Sequence, residues 1–335
     1  MTNIAINGFG RIGRAAFKIL LEIPGLNLVA INDLVPIENL AYLLKYDSVY
    51  GQYKKKVETL ENNLLVDGKE YRVFNTKDPI DLPWNELGVD IVLECTGIFR
   101  KKDDMEKHLK AGAKFVILSA PAKNEGVATV VHGVNIVGGD ENMISCASCT
   151  TNCITPIMEV MTRKFSIERA IMTTIHAYTS SQSIVDAPSK KIRRGRAAAV
   201  NFVPTSTGAA IATTKVLPSL KGKFNGVAVR GPIPAGSIAD IVIVVGENTS
   251  TEEINKVFME EAKTEKYKDI IGISDEPLVS NDILKRPEAT IIDTEMTRVV
   301  DGKLVKIMAW YDNEWGFTCQ MIREASRIGE ILKDQ

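Results

Sequence analysis

The six residues Gly8-Phe9-Gly10-Arg11-Ile12-Gly13 constrain this chain more than any others. They follow a short apolar run, Asn3 to Ile6. They open a segment, Arg11 to Glu22, in which Ile12, Ala15, Ala16, Ile19 and Leu20 recur at helical spacing before Pro24-Gly25. Glycines at this spacing between a strand and a helix form the fingerprint of a dinucleotide-binding βαβ unit. Gly8 permits the tight turn, Gly10 lets backbone approach a pyrophosphate, and Gly13 lets the helix pack closely on the strand. The free amides of the first helical turn bind phosphate anions. Asp33 closes the next strand-like run, Leu28 to Asn32. A carboxylate there accepts hydrogen bonds from ribose hydroxyls and repels a 2′-phosphate, so the pattern favours NAD over NADP. The competing readings are a flavin or plain nucleotide fold, or a glycine turn that serves packing alone.

Strand-helix alternation continues beyond this unit. Val89 to Glu94 and Phe115 to Ser119 are continuous apolar runs on either side of a helical stretch, Asp103 to Ala111, which Gly112 stops. Apolar strands alternating with helices predict a Rossmann-type, doubly wound parallel sheet in an α/β domain. After Cys149 the strands lengthen: Ala170 to Tyr178, Gly226 to Arg230, Ile238 to Val245 and Leu304 to Tyr311. Ser250 and Glu253 form a capping-box pattern that opens a helix over Glu252 to Lys266. This half reads as an α+β catalytic domain with a mostly antiparallel sheet. The helical tail Cys319 to Leu332 is expected to return to the first domain. The division is therefore 1–148 plus 318–335 for the nucleotide domain and 149–317 for the catalytic domain, in keeping with a 335-residue chain too long for one core.

The formal net charge of −1 gives no support to nucleic-acid binding, which needs a basic excess. The longest apolar run, Ile241 to Val245, is too short for a membrane span, and no export signal precedes Ile4. Five cysteines in a chain of this length are read as reduced thiols, and the protein as cytoplasmic.

The chemistry centres on Ser148-Cys149-Thr150-Thr151-Asn152-Cys153, which precedes a helical pattern reaching Phe165, with Pro156 a candidate kink. Cys149 falls in the first turn, where a helix N-terminus lowers a thiol pKa. Cys146, Cys149 and Cys153 lack a fourth ligand for a zinc site, so no metal is expected. A wholly structural reading, with all three as small buried residues, stays open. Of the three histidines, His108 on a charged helix and His132 in an apolar strand read as structural. His176 ends the run Ile171 to Ile175, where it is either a core histidine or the base that pairs with Cys149. Thr205-Ser206-Thr207-Gly208-Ala209-Ala210 is a hydroxyl-rich helix start suited to an anion, to which Arg194 and Arg230 add charge-assisted contacts; simple N-capping is the alternative. Thr179 to Pro204, with five basic residues, is either a solvated loop or a functional one.

These runs, together with Leu44-Lys45-Tyr46-Asp47-Ser48, His176-Ala177-Tyr178-Thr179 and Trp310-Tyr311-Asp312-Asn313-Glu314-Trp315-Gly316, resemble the phosphorylating glyceraldehyde-3-phosphate dehydrogenases in order and over nearly the whole chain. The resemblance implies that Cys149 attacks an aldehyde, that His176 activates the thiol and assists proton removal, and that a thioester on Cys149 is released by inorganic phosphate. It implies that Ser148, Thr150, Thr207 and Gly208 bind the attacking phosphate, and that Thr179, Arg194 and Arg230 hold the phosphate of glyceraldehyde 3-phosphate. Arg11, Ile12, Asp33, Lys77, Ser119 and Asn313 match contacts to NAD. The long loop resembles one that lies at a subunit interface of a homotetramer. Ser180-Ser181, Phe317, Cys146 and the stretch Gly231-Pro232-Ile233-Pro234-Ala235 depart from the family's commonest pattern. Erythrose-4-phosphate dehydrogenase, which hydrolyses its thioester, is the alternative activity, and a non-catalytic nucleotide- or RNA-binding protein is the alternative class.

Overall fold

Among the described residues of the first half, nine strands lie in one sheet whose centre is parallel, as the apolar runs predict. The computed structural model describes residues 1–136 and 141–333. The chain divides into a first unit of Met1–His132, Ile136–Ala147 and Met321–Gln335, and a second of Gly133–Asn135 and Ser148–Gln320.

The first unit contains β1 (Thr2–Asn7), α1 (Arg11–Leu20), β2 (Leu26–Asn32), α2 (Ile37–Lys45), β3 (Val57–Leu60), β4 (Asn63–Val66), β5 (Lys69–Phe74), β6 (Ile91–Glu94), α3 (Lys102–Lys110), β7 (Phe115–Leu118), β8 (Ala128–Thr129) and β9 (Met143–Ser145). The sheet order is β3-β4-β5-β2-β1-β6-β7-β9-β8. Strands β5, β2, β1, β6, β7, β9 and β8 pair in parallel, and β6 and β7 are buried along their whole length. That burial is why their sequences show no polar alternation. Strands β3 to β5 form an antiparallel extension that no sequence signal above anticipates. Their short strands carry exposed Glu58, Lys69 and Glu70, and Asp67-Gly68, both with positive φ, supply the two-residue turn between β4 and β5. His132 lies in an irregular segment beyond β8, not in a strand, and its Nδ1 is 2.9 Å from Glu324 Oε2.

The second unit contains α4 (Cys149–Phe165), β10 (Ile167–Ala177), β11 (Val203–Ser206), α5 (Ala209–Val216), β12 (Phe224–Gly231), β13 (Ser237–Val245), α6 (Thr251–Glu261), β14 (Ile271–Ser274), β15 (Thr290–Val300) and β16 (Leu304–Tyr311). Helix α7 (Trp315–Lys333) begins in this unit and its remainder belongs to the first. The sheet order is β11-β12-β10-β13-β16-β15-β14, parallel only at β10–β12 and β14–β15. Helix α4 continues through Pro156 and packs Cys153, Ile154, Ile157 and Met161 against Ile241, Ile243, Val305 and Ile307 of the sheet. Ser250 caps α6 through Oγ, which accepts from Glu253 N at 3.2 Å. That helix stops at Glu261, short of Lys266, where the Thr264 hydroxyl donates to the Glu261 carbonyl at 2.7 Å and a turn begins.

Candidate active site

In the first unit the glycine loop joins β1 to α1. Gly8 has φ +93°, and a Cβ there would lie 2.6 Å from Thr96 N, so both conformation and space exclude a side chain. A Cβ on Gly13 would collide with the Gly8 carbonyl oxygen, while nothing approaches the Cβ position of Gly10, the α1 N-cap. The loop therefore offers open backbone at Gly10 and tight packing at Gly13. A cavity of about 750 Å³ opens beside it, lined among others by Gly8, Gly10, Asn32, Asp33, Lys77 and Thr96. The Asp33 carboxylate accepts from Phe9 N at 2.6 Å and Val35 N at 3.0 Å, tying the end of β2 to the glycine loop. Arg11 is turned to Asp47, 2.8 Å away, and lies over the Tyr50 ring, so its side chain braces α1. Neither Arg11, Ile12 nor Ser119 lines the cavity. Ser119 follows β7 and donates its backbone N–H to Glu94 O at 3.0 Å. Asn313 belongs to the second unit, where its Oδ1 accepts from Gly236 N at 3.1 Å and Ser237 Oγ at 3.0 Å.

The second unit brings Cys149 and His176 together. Ser148 caps α4, its Oγ accepting from Thr151 N at 3.2 Å, and Cys149 is the first helical residue. Its Sγ is 3.3 Å from His176 Nε2, near the end of β10. The parallel register of β10 and β12 sets His176 beside Arg230. Arg230 NH1 lies 2.8 Å from both His176 Nδ1 and the Ala177 carbonyl oxygen, and Nδ1 is 2.7 Å from that carbonyl. Burial pushes the Cys149 thiol up, against opposing pulls from the Arg230 charge and the Thr150 donors. Burial, followed by Arg230, lowers the His176 imidazole to about 3. The lowered thiol expected from the helix start is thus outweighed: water loss penalises each separate charge more than the helix terminus rewards the thiolate. Thiolate and imidazolium formed together, by one proton transfer, attract each other and avoid leaving a lone buried charge.

Beside this pair, the Arg194 guanidinium reaches Thr205 Oγ1 at 3.0 Å and the Ser206 carbonyl at 3.3 Å. Thr179 and Ser181 hydroxyls are 2.8 Å apart. Thr207 Oγ1 accepts from Ala209 N at 3.2 Å, and Gly208 is the N-cap of α5 with open space at its Cβ position. No carboxylate forms an ion pair with Arg194 or Arg230 among the described residues, and the buried Arg230 Nε has no hydrogen-bond partner. Unpaired cations and an unused donor are the chemistry of an anion site. No three His, Cys, Asp or Glu side chains group to hold a metal among the described residues, and the five cysteines are free thiols.

Residues 2–102 match the model of the glyceraldehyde 3-phosphate dehydrogenase NAD-binding domain, and residues 148–313 match that of the C-terminal domain of the same family. The chain is 47% identical over 340 residues to glyceraldehyde-3-phosphate dehydrogenase of Clostridium pasteurianum, covering 99% of this chain and 100% of the relative. It is 48% identical over 328 residues to that of Geobacillus stearothermophilus, covering 97% of each. The chain belongs to the glyceraldehyde 3-phosphate dehydrogenase family.

Within that family frame, the residues missed by sequence reasoning lie beneath the reactive pair. Tyr311 OH bridges Thr150 Oγ1 at 2.9 Å and Thr174 Oγ1 at 2.7 Å, and its ring meets His176 edge-on, with centroids 5.9 Å apart. Tyr311 lies in the run Trp310 to Gly316, yet only the tertiary fold joins it to α4 and β10. The departure at Ser181 places a hydroxyl 3.5 Å from Arg194 NH1. Phe317 and Cys146 are both buried.

Proposed function

We propose that this dehydrogenase oxidises glyceraldehyde 3-phosphate with NAD and inorganic phosphate to 1,3-bisphosphoglycerate, the glycolytic reaction. The observation that carries the reading is the 3.3 Å approach of Cys149 Sγ to His176 Nε2 at the start of a helix. Cys149 gives its proton to His176 and attacks the aldehyde carbon, forming a thiohemiacetal. His176 returns that proton to the developing alkoxide and then serves as base when the thiohemiacetal is oxidised to a thioester. NAD, when bound, supplies the acceptor for the hydride released in that step. The open backbone at Gly10 and the Asp33 carboxylate suit its pyrophosphate and ribose, with Gly8, Gly13 and Lys77 beside them. Arg11, Ile12, Ser119 and Asn313, which do not line the cavity, are assigned to the cofactor by the family resemblance alone. Arg194, Arg230 and Thr179 bind the substrate's own phosphate. Ser148, Thr150, Thr207 and Gly208 bind the inorganic phosphate, which attacks the thioester, forms the acyl phosphate and frees Cys149.

Homotetramer assembly and a cytoplasmic setting complete the proposal. Ile184, Val185, Ile192, Val200 and Phe202 of the long loop are largely exposed in the single chain, as an interface segment would be. No helix among the described residues is long and apolar enough to cross a membrane. The relatives named above carry the glyceraldehyde 3-phosphate activity in their names, and nothing favours erythrose 4-phosphate. The test is NADH formation with each aldehyde phosphate, with and without inorganic phosphate. Fast turnover of glyceraldehyde 3-phosphate that requires phosphate and vanishes in Cys149→Ala is expected. Phosphate-independent turnover, or an active alanine variant, refutes the mechanism.

A further inference from the structure

A buried polar chain runs under the floor of the dinucleotide cavity, and its donors and acceptors can be ordered without ambiguity. Three obligate donors start it: Thr76 N, Trp84 Nε1 and Thr96 N. Thr76 N donates to Asn32 Oδ1 at 2.9 Å, which fixes that amide. Asn32 Nδ2 then donates to Asn7 Oδ1 at 2.7 Å, so Asn7 Nδ2 donates to Glu94 Oε2 at 2.5 Å. Trp84 Nε1 donates to His108 Nδ1 at 3.0 Å, so the imidazole proton is on Nε2, which lies 3.2 Å from Glu94 Oε2. The 3.4 Å approach of Asn7 Nδ2 to that Nε2 is donor to donor. Thr96 N donates to Glu94 Oε1 at 2.8 Å, and the Thr96 hydroxyl is in contact with the same oxygen. Every branch ends on Glu94. Glu94, His108 and Trp84 are fully buried, and none of the three lines the cavity, whereas Asn7, Asn32 and Thr96 do.

We propose that Glu94 is a positioning residue for the cofactor: as the common acceptor of this chain it holds the cavity-lining residues Asn7, Asn32 and Thr96 in place. Asn7, Asn32 and Glu94 are the last residues of β1, β2 and β6, adjacent parallel strands, and Asn7 is in register with both of the others. Ligands of such sheets bind beyond these strand ends. The inference rests on reading the cavity as the NAD site. His108 is the relay that turns the Trp84 indole into a further donor to the same carboxylate. Glutamine at position 94 keeps the shape but turns an NH2 group toward donors, which must then rearrange.

Two measurements on the full-length protein test this. Nitrogen-15 NMR of histidine-labelled enzyme resolves three histidines, and His108 is expected with its proton on Nε2. A proton on Nδ1 overturns the ordering of the chain. Calorimetry should show NAD bound about tenfold more weakly by Glu94→Gln. Kinetics should show a matching rise in KM for NAD, an unchanged KM for glyceraldehyde 3-phosphate and kcat near wild type at saturating NAD. If that variant does not fold, Trp84→Phe, which deletes one donor, should weaken NAD about 3- to 10-fold with the same split. NAD affinity within twofold of wild type in the folded variant, or equal rises in both KM values, overturns the proposal. A wild-type protein that binds NAD but oxidises no aldehyde would instead sink the dehydrogenase reading while leaving the binding and NMR comparisons intact.

Discussion

Asp33→Asn separates two tasks that one carboxylate performs. In the proposed NAD site its charge would oppose a 2′-phosphate, and its two oxygens anchor Phe9 N and Val35 N. Lys107, which lines the same cavity, is already paired with Asp78 at 2.9 Å. A 2′-phosphate carries about −1.5 to −2 charges. At roughly 5 Å from a unit carboxylate, an effective dielectric of about 20 to 80 gives a repulsion of ~1–7 kcal/mol. The cavity is open to solvent, so the lower part of that range, ~1–2 kcal/mol, applies. Asp33→Asn should therefore raise the ratio of kcat/KM for NADP to that for NAD about 5- to 30-fold. Asparagine retains one acceptor, so KM for NAD itself should rise only about 3- to 10-fold. Asp33→Gly loses both acceptors and should raise the ratio while lowering efficiency with both cofactors. Initial rates with each cofactor at saturating aldehyde and phosphate give the ratios. A ratio in Asp33→Asn within twofold of wild type would mean that this charge does not set the choice.

Other perturbations read the remaining parts of the molecule. His176→Asn should cut the oxidation rate by about 10²–10⁴, measured in single turnover; a smaller loss removes His176 as base. Arg194→Ala should cost roughly 1.5–3 kcal/mol in kcat/KM for glyceraldehyde 3-phosphate and spare unphosphorylated glyceraldehyde. Arg230→Ala should impair both substrates, because Arg230 also contacts His176 Nδ1; equal selectivity in the two variants would contradict this division. Gly13→Ala forces a methyl group into the Gly8 carbonyl oxygen, and thermal unfolding should report a loss of about 3 kcal/mol. Burial raises the Glu159 carboxyl, but hydrogen bonds from Arg163, Tyr267 and Lys266 outweigh it and hold the group at about 2, below its usual 4.5. A depressed carboxylate stabilises the fold above the unfolded value and loses that effect as pH falls through the folded one. Glu159→Gln should therefore flatten the acid-induced loss of stability between these two values, and an unchanged pH profile would remove Glu159 as its source.

Local order along the chain encodes part of this fold. The glycine spacing at 8, 10 and 13 specifies a strand-turn-helix: a Cβ at Gly8 or Gly13 would collide with backbone, and Gly10 leaves the backbone open to a ligand. The apolar runs Ile91–Glu94 and Phe115–Leu118 specify central parallel strands because both of their faces are buried. The helical pattern reaching Phe165 specifies a helix whose first turn holds Cys149, while the Ser148 cap is seen only in the fold. The three antiparallel strands between Val57 and Phe74 are less legible, since they are short and half exposed. The contacts that distinguish chemistry from packing belong to the tertiary structure alone. Cys149 meets His176, and His176 meets Arg230, only because α4 packs on a sheet in which β10 and β12 run in parallel register. Burial, which moves the Cys149 thiol and His176 imidazole in opposite directions, is likewise a property of the folded surroundings. His108 shows the limit most clearly: on a charged helix it looks structural, and only the fold gives it Trp84 on one nitrogen and Glu94 on the other. Such contacts join residues far apart in the chain, and no periodicity along a chain records which distant side chain will fill the last hydrogen-bonding position.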